Sequence, residues 1–126
     1  MKLAITAVEV VDGEVVVEAT TPIGTVRGRW FGPAAAPGDM RFVELDIAAE
    51  DVLSVESARG APMLECVAQG ARIRGVVENV DPESIVMLRL HTSLVIFGAE
   101  RWPRELDAGR VVEIIVRAMS LHDTNL

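Results

Sequence analysis

The sequence predicts an all-β protein assembled from two similar halves. Three observations carry that expectation. Short runs alternate apolar and polar residues, glycine- and proline-containing turns separate the runs, and the second half restates the order of the first. Valine and other aliphatics dominate a composition that is 50% apolar, and such residues favour pleated, half-buried surfaces. Aromatic residues make up only 4%, and tyrosine is absent.

Asp12-Gly13 is a hairpin signal, because glycine supplies the positive φ of a type I′ turn. It separates a strand over Leu3 to Val11 from one over Glu14 to Thr20, which Thr21-Pro22 ends. In the second strand Val15, Val17 and Ala19 are expected on one face. The third run sets Thr25, Arg27 and Arg29 against Gly24, Val26, Gly28 and Trp30. Two glycines beside a tryptophan imply a bent strand or a close backbone approach. Gly32 to Asp39 is a loop by composition. The fourth strand turns Val43, Leu45 and Ile47 inward and Phe42, Glu44 and Asp46 outward, and Asp51 to Glu56 is a short fifth strand.

The pattern then breaks. Pro62 and Gly70 stand where a helix would begin and end, with Met63, Leu64 and Val67 as an apolar stripe. The expectation is at most one short helix, or a compact linker, over residues 59–70. Alternation resumes with Ala71, Ile73, Gly75 and Val77, followed by strands over Ile85 to Leu90, Leu94 to Phe97 and Val111 to Arg117, and by Ser120-Leu121-His122-Asp123.

The halves align. Ile5-Thr6-Ala7-Val8 matches Ile73-Arg74-Gly75-Val76, Asp12-Gly13-Glu14 matches Asp81-Pro82-Glu83, and Val43 to Ile47 matches Val112 to Val116, with partners close to 69 residues apart. The organisation read from this is one half over 1–58, a connector over 59–70 and a second half over 71–126. Each half has the strand count of an OB-type five-stranded barrel, so two OB-like half-barrels in tandem are expected, with one merged barrel as the alternative.

The second half, with its strand opening at Gly75-Val76, its loop ending at Gly109 ahead of Glu113, and its closing Leu121-His122-Asp123, resembles the small OB-like module of the transport-associated and molybdate-binding type. In the first half Gly38 and Leu53-Ser54-Val55 take the corresponding places. The resemblance covers about half the chain. It implies modules that bind small oxyanions between paired domains, or that serve ABC transporter ATPases as accessory domains. The Ser-Ala-Arg-Asn type motif that contacts the anion in molybdate-binding members is missing. Met1 to Leu3 and Gly70 to Arg72 stand in its place, so no binding residue carries over.

Charge and chemistry narrow the function. A net charge of −7 with scattered arginines argues against nucleic acid, which needs a basic surface to release counterions, and suits a basic protein partner better. His91 reads as a turn residue. His122 and Asp123 are neighbours on a strand and point to opposite faces, which suits neither a relay nor shared metal ligation. With Cys66 they match no spaced metal motif, and neither a phosphate loop nor a nucleophile elbow is present. No metal, no cofactor and no enzymatic activity are expected. Phe42, Glu44 and Asp46, with nearby Glu50 and Asp51, form the candidate partner surface, against the plainer reading of a solvated outer face. Trp30 and Trp102 could stack on single-stranded bases, but are read as plugs at the barrel ends.

The lone cysteine, the absence of a signal pattern at the N-terminus and the absence of roughly 18 unbroken apolar residues lead to a cytoplasmic expectation with no membrane span. The high apolar share leads to a homodimer. The function expected is a non-enzymatic adaptor that recognises a protein through an acidic or edge surface. A small-oxyanion binder and a single-stranded nucleic-acid-binding OB protein are the alternatives.

Overall fold

Turn geometry sets the first element boundaries in the computed structural model, which describes residues 1–124. Asp12 and Gly13 both take positive φ, 50° and 81°, as a tight hairpin that follows the strand twist requires. They join β1 (Lys2–Val11) to β2 (Glu14–Thr21), and β3 (Gly24–Phe31) and β4 (Met40–Asp46) follow. A 3₁₀ turn (Ala49–Asp51) leads into β5 (Val52–Ser57). The rest of the chain forms β6 (Met63–Val67), β7 (Gly70–Val80), β8 (Ile85–Leu90), β9 (Ser93–Gly98), β10 (Val111–Val116) and β11 (Ser120–Asp123). The all-β expectation holds. Among the described residues no helix is long and apolar enough to cross a membrane.

β1, β2, β3, β11 and β4 pair in cyclic order and close a five-stranded barrel. Only the β3–β11 contact in it is parallel. Closure removes the unpaired strand edges that an open sheet would expose. The closing strand is the last among the described residues. β5, which follows β4 in sequence, pairs with β10 instead. Each of these two short strands therefore pairs away from the strand that precedes it in sequence, β5 with β10 and β11 with β4.

Glycine makes the closure possible. A Cβ on Gly28 would stand 2.7 Å from the carbonyl oxygen of Met119, just before β11. A Cβ on Gly24 would stand 1.9 Å from the carbonyl oxygen of Leu64. The two glycines beside Trp30 thus mark close backbone approaches, as their place in the strand implied.

The second group of strands runs β5-β10-β7-β8-β9 and stays open, because among the described residues β9 pairs with β8 alone. The two groups share one sheet through the Gly24–Leu64 contact of β3 with β6. They also share one apolar core, which runs from Leu3, Val17 and Leu45 through Leu64 to Ile73, Leu88 and Ile114.

Two expectations are corrected. The connector holds strand β6 where a short helix or compact linker was expected. Only Leu64 of its apolar stripe is buried, and residues 63–67 pair with residues 74–70 of β7. An isolated segment this short does not sustain a helix, whereas a ladder on an existing strand satisfies its backbone at once. In β2, Val16 is buried with Val17 and Ala19 while Val15 is exposed, so the alternation breaks near the hairpin.

Candidate functional site

β4 alternates as its sequence requires, with Val43 and Leu45 in the core and Phe42, Glu44 and Asp46 outside. Beside its outer face an open groove of ≈ 650 Å³ is lined by Met1 and residues 43–46 on one wall, Ser93, Leu94 and Ile96 of β9 on the other, and His122 of β11. Glu44 and Asp46 from the expected surface line it together. Phe42 lies on the same outer face, 40% exposed, with the Lys2 ammonium 5.9 Å from its ring centre.

The groove is acidic and poorly compensated. Among the described residues Asp46 Oδ2 meets only the imidazole Nε2 of His122, at 3.9 Å, and Glu44 makes no ion pair. The amino group of Met1 donates to the Val43 carbonyl at 2.7 Å. Burial lowers its pKa from the ordinary value, and the charge of Glu44 pulls the other way. The His122 ring stacks on Phe31, 4.8 Å between centres.

Elsewhere carboxylates meet arginines on adjacent strands or, for Arg27 of β3 and Glu9 of β1, one strand further across. Arg27 pairs with Glu9 at 2.6 Å, Arg29 with Glu14 at 3.4 Å, Arg74 with Glu113 at 3.1 Å, and Arg89 with Glu78. Such pairs make the surface of a sheet neutral locally. The outer face of β4 breaks that habit.

Glu50 and Asp51 sit round the corner, on the 3₁₀ turn. Glu50 lines a second depression, ≈ 440 Å³, with residues 52–55 of β5 and the chain after β9. Asp51 accepts the Arg117 backbone N–H at its carbonyl, 2.7 Å away. The five expected residues thus divide between two places.

The sequence made Leu94 to Phe97 a strand but gave β9 no part in a surface. In an antiparallel ladder, successive residues turn their N–H and C=O groups alternately toward the partner and away from it. The register Leu90–Ser93 through Ile85–Gly98, continued by the Ala99 N–H to Ser84 bond, directs Ser93, Val95 and Phe97 at β8. Leu94, Ile96 and Gly98 therefore offer their backbone groups to the open edge. Leu94 and Ile96 are 41% and 53% exposed. The signal available was the run Ser93 to Gly98, apolar on both faces and uncharged.

The remaining candidates are placed apart. Trp30 is buried and donates its indole N–H to the Pro33 carbonyl at 2.8 Å. Trp102 donates to the Leu106 carbonyl at 2.5 Å and packs edge-on to Phe97. His91 is an exposed turn residue with φ 53°. Cys66 is exposed and borders a third depression, ≈ 350 Å³, with Arg27, Arg29 and Arg117. Among the described residues no three metal-ligating side chains converge. In comparisons with known proteins, no family model, no curated protein and no solved structure matches the chain.

Proposed function

We propose that the protein is a non-enzymatic binding module that recognises a protein partner through the groove between β4 and β9. One observation carries the reading: Glu44 and Asp46, uncompensated by arginine, face exposed Leu94 and Ile96 across one groove. Contiguous exposed apolar side chains rimmed by charge are the usual makeup of a contact surface. The acidic wall and the net charge of −7 favour a basic partner. The fold reading that accompanies this is a duplicated OB-like module whose two halves exchange their fifth strands.

The test is quantitative affinity purification with wild type and the double variant Glu44→Lys, Asp46→Lys. A partner retained by wild type, released by salt and lost from the variant supports the reading. Equal recovery on both overturns it.

A small-oxyanion binder is the second reading, favoured by Arg27, Arg29 and Arg117 around one depression. Carboxylates already hold Arg27 and Arg29, which works against it. Native mass spectrometry of the purified protein decides: a bound mass in the oxyanion range supports this reading, and a clean apo mass removes it.

A further inference from the structure

We infer that the partner binds as an extended basic segment that adds a strand to the open edge of β9. The inference rests on the groove reading above and specifies its mode. Natural edge strands are blunted by lysine, proline, a bulge or a covering element. β9 has no charged residue, no proline and no irregularity in its pairing with β8. Its outer backbone groups on Leu94 and Ile96 stand beside the groove, while Gly98 lies beyond it, where a Cβ would stand 3.6 Å from that of Ala49. An added strand would satisfy them and take its affinity from main-chain hydrogen bonds, with side chains supplying the selectivity.

Charge selects the occupant. A strand on this edge lies in the groove whose far wall carries Glu44 and Asp46. Lysine or arginine in the segment reaches those carboxylates, while apolar side chains cover Leu94 and Ile96. A second copy of this chain would bring another acidic wall and a further net charge of −7 to the same edge. A phosphate backbone would meet like charge in the groove. A basic, β-forming peptide is the occupant that matches both the edge and the wall.

The probe is a short synthetic peptide of alternating lysine and valine, titrated into the full chain and followed by amide hydrogen exchange and NMR. Two further peptides replace every lysine by glutamate, or N-methylate alternate amides so that charge stays and the ladder cannot form. Binding of the first peptide with new protection of the Leu94, Ile96 and Gly98 amides, and none by the other two, is the result expected. Glu44→Lys with Asp46→Lys should weaken it about tenfold, as two partly exposed charge contacts imply. Ile96→Pro removes an outward-facing N–H, so it should block the edge while β8 and β9 stay paired, and Ile96→Ala, which loses the side chain beyond Cβ but keeps the N–H, should weaken binding less.

If the N-methylated peptide binds as well as the parent and the charge reversal still abolishes binding, the groove reading stands and strand addition is overturned. Protection of the β9 edge in a peptide-free dimer makes a second copy the occupant and overturns the basic segment. Failure of every peptide to bind overturns the inference, and a partner still captured in a Glu44- and Asp46-dependent way would leave the groove reading intact.

Discussion

Arg41 and Asp123, 82 residues apart in sequence, are joined by a 2.5 Å charge-assisted hydrogen bond between β4 and β11. The Asp123 side chain is 3% exposed. The same guanidinium donates to the Ala34 carbonyl at 2.7 Å and to Asp39 at 3.1 Å, and lies 5.7 Å from the centre of the Trp30 ring. One side chain therefore holds the barrel's closing strand, the loop after β3 and the tryptophan that loop covers. Its pKa is raised, first by the bond to Asp123 and then by Asp39. Arg41→Met should lower the unfolding temperature and speed exchange of the β11 amides before those of β7. Arg41→Lys should rescue little, because an ammonium cannot span three acceptors with a planar fork. Unchanged protection of residues 120–123 would show that the bond does not hold the strand.

The Asp39 carboxyl titrates below its ordinary value of 3.8, chiefly because it accepts the Ala36 N–H and secondly because of Arg41. The folded state thus binds its proton more weakly than the unfolded state. Stability from this group is fully present above about pH 4 and is lost as pH falls through the lowered folded value. Thermal melts of wild type and Asp39→Asn should differ by a constant amount from neutral pH down to about pH 5 and converge in stronger acid. A gap that widens with acid would contradict the assignment.

The sequence made β3 and β4 legible because each is half-buried, and a period of two then reads out directly. It placed Glu44 and Asp46 on one outer face for the same reason. β6 was hidden because Met63, Leu64 and Val67 fit a helical stripe, and only the free stretch of β7 decides otherwise. The pairing of β5 with β10 and of β11 with β4 was hidden for a deeper reason. Alternation says that a segment is a strand, not which strand it pairs with, and nothing in Leu53-Ser54-Val55 distinguishes β4 from β10. Leu94 and Ile96 were overlooked because an apolar run on both faces reads as a strand buried on both. Their exposure follows from a missing neighbour.

Closure of the first barrel depends on a missing side chain. Gly28→Ala would force a methyl group to 2.7 Å from the Met119 carbonyl oxygen, inside any ordinary contact. Overpacking of this kind costs about 1–3 kcal/mol. Denaturant melts should show that loss, with the Arg29 amide, bonded to Met119 at 3.1 Å, exchanging faster. Gly13→Ala makes the contrast, since nothing lies within 4 Å of a Cβ there. Its φ of 81° should cost about 1 kcal/mol of backbone strain and leave β11 untouched. Equal effects of both substitutions on β11 exchange would rule out the steric account.

β5 and β11 tie the closed barrel and the open strand group into one cooperative unit. β5 follows the barrel strand β4 in sequence and, among the described residues, pairs with β10 alone, while β11 follows β10 and lies between β3 and β4. Neither strand group can open without unpairing a strand tethered to the other, and Leu64 joins both to one core. Trp30 reports on the closed barrel, and Trp102, packed against Phe97, reports on the open group. In single-tryptophan variants Trp30→Phe and Trp102→Phe, fluorescence melts should each coincide with that variant's own melt by circular dichroism. An earlier transition at Trp102 alone would mean that the open group unfolds by itself. The pairing of β5 with β10 would then give way without disturbing the barrel.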